Sequence, residues 1–253
     1  MFSLDGKVSI VTGAGRGIGR SIALGLAESG SDIVICSRTT SELEELSNEI
    51  KKIGKEAFVI TCDVTKPESV DTVVKETIKK YGKIDILINN AGMTKKHLAE
   101  NFPVEDWNNI LSVNLTGAFV FAKKVGQEMI QQGYGSIINI SSVGSDQAIT
   151  KSVAYTAAKG GLNMLTKNLA VEWAEKGVRV NGIAPSYIET DLVENIKNHR
   201  PDFAKDITNR TPMKRMGKPE EMKGVAVFLA SEASSYITGE TIFVDGGWTA
   251  LGL

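Results

Sequence analysis

Lys7-Val8-Ser9-Ile10-Val11-Thr12-Gly13-Ala14-Gly15-Arg16-Gly17-Ile18-Gly19 begins as a run of β-formers and passes directly into a glycine-rich turn. Behind it, Ile22, Ala23, Leu26 and Ala27 repeat at helical spacing until Gly30 interrupts the pattern. The order is strand, glycine-rich turn, helix. Glycines let backbone N–H groups approach a pyrophosphate, which then sits at the positive end of a helix dipole. The spacing is Gly-x-x-x-Gly-x-Gly (Gly13, Gly17, Gly19, with Ile18 between the last two), not the commoner Gly-x-Gly-x-x-Gly fingerprint. Tight turns need glycine as well, and it is the position between a strand and a helix that favours a phosphate site.

Working outward, residues 32–36 are a second strand ending in Ser37-Arg38. An acidic residue at this strand end would hold the adenosine ribose hydroxyls, whereas Arg accommodates a 2′-phosphate. Arg38 follows the strand, no Asp or Glu stands there, and Arg16 in the glycine loop offers a second positive charge. The pattern favours NADP(H) over NAD(H). The alternative is a solvated Arg38 with Ser37 holding the ribose. Residues 41–53 read as a charged amphipathic helix, 56–62 as a strand, 67–81 as a helix and 84–88 as a strand. Residues 103–121 then read as a helix, 135–141 as a strand, the segment around Tyr155 as a helix and 178–184 as a strand, closed by Pro185. From 186 to 216 the chain is polar with weak periodicity, a pattern of lids and binding loops. A helix over 219–231 and a strand over 241–245 complete the chain. Alternation at this pitch predicts one α/β domain over residues 1–253: a doubly wound, Rossmann-type, seven-stranded parallel sheet with helices on both faces, and a substrate loop at about 186–216.

Composition narrows the function classes. A net charge of −1 offers no surface for nucleic acid or anionic membrane. Two cysteines, Cys36 and Cys62, and two histidines, His97 and His199, are too widely spaced for a metal centre, which excludes a zinc-dependent dehydrogenase. The cysteines suit small buried residues in a reducing compartment. No apolar run could span a bilayer and no signal peptide is visible, so a cytoplasmic location is expected.

Tyr155 and Lys159 stand at Tyr-x-x-x-Lys spacing, one helical turn apart on one face. An ammonium beside a phenol favours the phenolate, making a proton donor and acceptor usable near neutral pH. An isolated pair of this kind is more often a half-buried Tyr with a solvated Lys. Here it is accompanied by the glycine loop, Asn89-Asn90-Ala91-Gly92 after a strand, Ser142 at another strand end and the Pro185 loop. In such sheets ligands bind outside the carboxyl ends of the strands.

With Thr12-Gly13-x-x-x-Gly17-Ile18-Gly19, Asn89-Asn90-Ala91-Gly92, Asn114, Ser142, Tyr155-x-x-x-Lys159 and Val244-Asp245-Gly246-Gly247, the chain resembles the short-chain dehydrogenase/reductase family along essentially its whole length. The resemblance implies hydride transfer between a nicotinamide and a ketone or secondary alcohol. Tyr155 would be the acid or base at the substrate oxygen. Lys159 would lower its pKa and hold the nicotinamide ribose, and Ser142 would polarise the carbonyl. Asn114 would hold a water leading to Lys159, the alternative being an Asn that bonds only to local backbone. Asp63 and Val64 would bracket the adenine, with Asn90 and Gly92 on the cofactor's other side. Beyond Pro185, Ile188 and Thr190 would contact the carboxamide. One departure is Ser186 where the family usually has Gly, which bears on the geometry of that loop.

Substrate choice is expected in residues 93–98, 143–152 and 187–212. Lys95, Lys96 and His97, with Arg200 and Arg210, would suit an anionic substrate, although each could equally be a solvated surface residue. Met93-Thr94-Lys95-Lys96, Phe102-Pro103-x-x-Asp106-Trp107, Arg210-Thr211-Pro212 and Asp245-Gly246-Gly247-Trp248 look like the gluconate 5-dehydrogenase branch, which acts on keto-sugar acids. The alternative is a 3-oxoacyl-carrier-protein reductase. A non-enzymatic rival is a nucleotide-sensing regulatory protein on the same fold, but such proteins tend to lose the tyrosine or lysine. Leu162, Leu165, Leu169, Ala170 and Trp173 exceed what one sheet contact needs, which suggests subunit packing; family members are commonly homotetramers built on these helices. Tighter internal packing is the alternative.

Overall fold

The computed structural model describes residues 1–190, 193 and 201–252. Arg200 and His199 lie outside the described residues, as does part of the segment 186–216. The strands are β1 (Val8–Thr12), β2 (Asp32–Ser37), β3 (Ala57–Thr61), β4 (Ile86–Asn89), β5 (Gly135–Ile140), β6 (Val178–Pro185) and β7 (Thr241–Val244). They form one seven-stranded sheet, ordered β3-β2-β1-β4-β5-β6-β7, with every neighbouring pair parallel. The chain winds outward from β1 to β3, returns to place β4 on the other side of β1, and winds outward again. Strand order therefore reverses between β1 and β4, which opens a crevice at their carboxyl ends.

Alternation along the strands fills both faces. Val11, Ile33, Ile35, Ile86, Ile88, Ile138, Ile140 and Ile183 enter one core, shared with helices α1 (Gly17–Glu28) and α2 (Thr40–Lys52). Val8, Ile10, Val34, Leu87, Ile137, Val178 and Val180 enter the other, shared with α3 (Pro67–Tyr81) and a longer helix, α5 (Gly117–Gln132). The strands are mainly apolar on both faces, with Ser9, Ser136, Asn139 and Asn181 as buried polar exceptions, because parallel strands covered on both sides expose neither face.

Two departures from the sequence expectation have physical causes. The helix expected over 103–121 is α4 (Val104–Leu111), one π-helical turn (Ser112–Thr116) and α5, which continues to Gly133 in the left-handed region (φ 73°). Gly126 lies mid-helix, where a Cβ would be 2.7 Å from the Trp173 ring; it permits close packing against α6 (Val153–Trp173). Part of the segment 186–216 is helical: α7 (Pro201–Arg210) buries Phe203 and Ile207 in a small separate core with Val143, Met216 and Trp248. Its periodicity is carried by two apolar residues, too few to read beside so many polar ones. The last helix is α8 (Glu221–Ala230), packed on α1.

The residues expected to pack subunits are mostly internal. Leu162, Leu169 and Ala170 are buried within the chain, and Trp173 leans on the second core. The apolar residues left exposed nearby are instead Phe119, Met164 and Val171. Helical spacing alone does not tell the sheet-facing side of α6 from the outer one when both are apolar.

Glycine placement yields a stability test. Gly19 of α1 has no room for a Cβ, which would collide with Gly13 O and Asn90 Nδ2, whereas Gly224 in α8 faces open space. Gly19→Ala should destabilise by about 1–3 kcal/mol through overpacking, and Gly224→Ala should stabilise by about 0.5–1 kcal/mol. Urea denaturation of both variants checks the opposite signs.

Candidate active site

The crevice is built first from backbone held in place by side chains. The Thr12 hydroxyl, at the end of β1, accepts from the N–H groups of Asn90 (2.9 Å) and Ala91 (3.0 Å) beyond β4. Asn90 Nδ2 donates back to Thr12 O at 2.9 Å and Gly13 O at 3.0 Å. Gly13 takes φ 61°, and a Cβ there would stand 2.9 Å from Ala91 Cα. The N-terminus of α1 beyond this turn carries no side-chain cap and no acidic residue in its first turn. Its free N–H groups are thus open to an anion arriving along the crevice.

Ser142, Tyr155 and Lys159 meet at the end of β5. Ser142 is buried, its Oγ accepting from Gly144 N at 3.0 Å. The Tyr155 phenol is pushed up by burial, partly offset by the neighbouring Ser142 hydroxyl. Lys159 is 4% exposed and donates from Nζ to Ile140 O at 2.7 Å, with Nζ 5.7 Å from the Tyr155 ring centroid. Burial lowers the Lys159 ammonium to about 8. Asn114 and Lys159 converge on Gly92, where a Cβ would be 2.9 Å from Asn114 Oδ1 and 3.9 Å from Lys159 Nζ. Asn114 sits in the π turn, its Nδ2 donating to Met93 O (2.8 Å) and Ile110 O (2.9 Å), while Oδ1 accepts from Met93 N (3.3 Å). The local-backbone bonding weighed from sequence is therefore present. It fixes the carboxamide and leaves Oδ1 with acceptor capacity toward Gly92.

At the adenosine end, Arg38 is exposed beyond β2 and its charge reaches Asp63. Burial pushes the Asp63 carboxyl up, but hydrogen bonds from Thr65 N–H and Oγ1 and the positive charge of Arg38 hold it below the usual range. Val64 packs on α5, where a Cβ on Gly117 would be 2.9 Å from Val64 O. Ser37 Oγ is engaged with Thr39, at 3.3 Å to both its N and O. Arg16 is exposed and paired with Glu42 at 3.5 Å. Beyond Pro185, Ile188 is buried and Thr190 lies over the glycine loop, with a Cβ on Gly17 falling 3.3 Å from Thr190 Cγ2. Ser186 needs no glycine: among the described residues only Lys151 and Lys214 depart from negative φ outside glycine, and Ser186 Oγ donates to Asp245 O at 3.3 Å.

Several site-forming residues were not singled out from sequence. Asn163 accepts from Ser141 Oγ at 2.6 Å and donates to Ser145 Oγ at 2.8 Å, so it fixes the loop that carries Ser142. It follows Lys159 at the same spacing by which Lys159 follows Tyr155, and that repetition was the available signal. The two serines are also told apart: Ser141 bonds to Asn163, while Ser142 is the one that acts on Tyr155. Deeper, Asn89 Nδ2 donates to Asn139 Oδ1 (2.9 Å) and Asn139 Nδ2 to Thr166 Oγ1 (2.9 Å), locking β4, β5 and α6 together.

Around the mouth the cations differ in their partners. Lys95 and His97 both bind Asp106, His97 Nε2 at 3.0 Å from Oδ2. Lys96 lies 5.8 Å from the Phe203 ring centroid. Arg210 stacks on Trp248, 4.3 Å from the ring centroid, and donates to Gln147 Oε1 at 3.3 Å.

This arrangement can be set beside known proteins. A family model described as enoyl-(acyl carrier protein) reductase matches residues 13–249. The chain is 43% identical over 249 residues to a 2-dehydro-3-deoxy-D-gluconate 5-dehydrogenase of Bacillus subtilis, covering 98% of this chain and 96% of that one. It is 40% identical to a 3-oxoacyl-[acyl-carrier-protein] reductase of Synechocystis, covering 98% of each. A gluconate 5-dehydrogenase from Burkholderia cenocepacia, solved in complex with NADP and tartrate, superposes with a TM-score of 0.94 at 40% identity, covering 99% of this chain and 98% of that one. Sequence, fold and crevice agree, and the chain belongs to the short-chain dehydrogenase/reductase family of NAD(P)-dependent oxidoreductases.

Proposed function

We propose that the protein reduces a keto-sugar acid with NADPH, or oxidises the matching secondary alcohol with NADP, Tyr155 exchanging the proton at the substrate oxygen. The observation that carries this is the meeting of Ser142, Tyr155 and Lys159 at the carboxyl end of β5, beside the crevice between β1 and β4. The open N-terminus of α1 and the close approach of Gly17 to Thr190 fit a dinucleotide, held by Gly13, Ile18 and Gly19 at the phosphates and by Asn90, Gly92, Pro185, Ile188 and Thr190 toward its nicotinamide end. The bound dinucleotide supplies or accepts the hydride.

The Ser142 and Tyr155 hydroxyls are neighbours, so a carbonyl oxygen accepting from both is polarised before it is reduced. As charge develops on that oxygen, Tyr155 delivers its proton. Burial keeps the phenol protonated in the resting site, which suits the reductive direction. Lys159, fixed by Ile140 O, stabilises the phenolate left behind. A water held by Asn114 Oδ1 beside Gly92 would return the proton to Lys159 and Tyr155.

Arg38, exposed at the end of β2, supports a preference for the 2′-phosphate, and the crystallised relative holds NADP. Arg16 contributes less because Glu42 already pairs with it. The names of the relatives support a sugar-acid substrate, and the Synechocystis relative supports 3-oxoacyl-carrier-protein reduction as the second reading. Free buried Cys36 and Cys62 suit a cytoplasmic location. The apolar surface formed by Leu115, Phe119, Met164 and Leu165 between α5 and α6 supports a homotetramer.

Turnover of 5-ketogluconate with NADPH, without turnover of acetoacetyl thioesters, is the expected substrate result; the reverse pattern selects the second reading. Tyr155→Phe should lower kcat by about 10²–10⁴-fold, the usual worth of a positioned proton donor, while NADPH still binds by fluorescence titration. Arg38→Ala should raise the KM for NADPH by about tenfold, the equivalent of about 1.4 kcal/mol, and leave the KM for NADH within a factor of two or so.

Lys159 gives a pH signature. Its folded pKa of about 8 lies below the usual lysine value. The unfolded chain therefore binds more protons between about pH 8 and 10.4, and stability rises with pH across that window. The burial penalty is present in full below pH 8. Wild type should gain about 3 kcal/mol relative to Lys159→Met between pH 7.5 and 10.5, measured by urea denaturation; parallel curves for the two proteins would contradict it.

A further inference from the structure

We propose that Arg210 binds the carboxylate of the keto-sugar acid, oriented for it by Trp248 and Gln147. The proposal deepens the function given above and rests on it. Three segments leaving the carboxyl ends of three strands meet here. Gln147 stands on the loop after Ser142, Arg210 ends the α7 helix beyond β6, and Trp248 follows β7. The guanidinium lies over the indole with 4.3 Å between Arg210 Cζ and the ring centroid. Gln147 Oε1 receives both Arg210 Nη2 at 3.3 Å and Trp248 Nε1 at 3.1 Å. One amide oxygen thus sets the plane of the indole and the angle of the guanidinium together.

Among the described residues, Arg210 differs from the cations paired with carboxylates in the character of its partners. Lys95 binds Asp106, Arg20 binds Glu49, and Arg215 binds Glu221 through two bonds of 2.7 Å. Arg210 is held by an amide oxygen and an aromatic face, both neutral, so its charge is positioned without being compensated. A guanidinium has five N–H donors in a planar fork. The stack occupies one face and Gln147 one donor, leaving an edge for a bidentate carboxylate.

The site lies within electrostatic reach of the reacting groups. Tyr187 packs edge-on against Trp248 and Phe203, with centroids 5.3 and 5.5 Å apart. Its phenol is pushed up by burial and pulled back by the charge of Arg210, and Tyr187 in turn acts on Tyr155. Arg210 and Tyr187 thus share contact with the Trp248 indole, and Tyr187 lies within electrostatic range of the proton donor Tyr155. A bland role is also consistent with the last turn of a helix, where any cation is favoured. That role would leave substrate charge without effect on the variant.

The test compares 5-ketogluconate with its uncharged methyl amide in wild type, Arg210→Gln, Arg210→Lys and Gln147→Leu. Arg210→Gln should raise the KM for the acid by about ten- to hundred-fold, the range for a hydrogen bond to a charged group. The acid-over-amide ratio of kcat/KM should fall by the same factor. Arg210→Lys, with charge but no fork, should fall between the two. Gln147→Leu should lower the same ratio by a few-fold, and it keeps the test open if Arg210→Gln fails to fold, as judged by thermal unfolding. Equal losses for acid and amide in Arg210→Gln, or no change in the ratio, would overturn the assignment. Wild type that prefers the acid while Arg210→Gln keeps that preference removes only the role of Arg210. Wild type without such a preference removes the sugar-acid function as well.

Discussion

One hydroxyl and one carboxamide hold the two halves of the sheet at the place where its winding reverses. Thr12 closes β1 and Asn90 follows β4, and their reciprocal bonds bridge the carboxyl ends of the two strands between which the winding reverses. Both residues use nearly all their polar capacity on backbone of the opposite half. The glycine turn can then be thin without being loose. Its shape is set by contacts from Asn90 and Ala91 rather than by its own side chains, of which it has almost none.

The reacting groups depend on that frame through a second set of polar links. Asn89, Asn139 and Thr166 run through the interior between β4, β5 and α6, and Asn163 joins α6 to the loop carrying Ser142. Their effect is to fix the helix bearing Tyr155 and Lys159 in rotation and height relative to the strand end that bears Ser142. A buried ammonium is costly, and Lys159 has one carbonyl as its direct partner. The fold therefore tolerates, at its centre, a group that weakens it at neutral pH, as is common where activity and stability make opposing demands.

Much of this was legible in the chain because two periodicities are strong. Strands rich in apolar residues separated by amphipathic helices leave little but a doubly wound sheet, and the glycine turn marks its first crossover. Tyr155 and Lys159 were legible because helical spacing is a geometric fact. Other features escaped for identifiable reasons. The π turn around Asn114 depends on side-chain bonds to Met93, which is remote in sequence. Ser186 in place of the family's glycine suggested a distortion, but it needs no special φ. The helix ending at Arg210 has two buried apolar anchors, below what periodicity can detect. Which side of α6 faces outward was decided by packing partners and not by the helix itself.

The parallel order of the strands has a further consequence, for how the molecule comes into being. β1 cannot meet β4 until the intervening residues are already laid down, since Ser9 pairs with Ile86 across three complete crossovers. The pairs β1–β2 and β2–β3 are available earlier to a chain emerging from its N-terminus. Loop-closure entropy must be met before the distant pairing returns any stabilisation, so sheets of this kind form slowly. The crevice lies at the seam made by that late pairing. Nucleotide affinity is consequently acquired in one step with global topology, and a nascent or partly unfolded chain, however much local structure it holds, has no half-formed version of the pocket to offer.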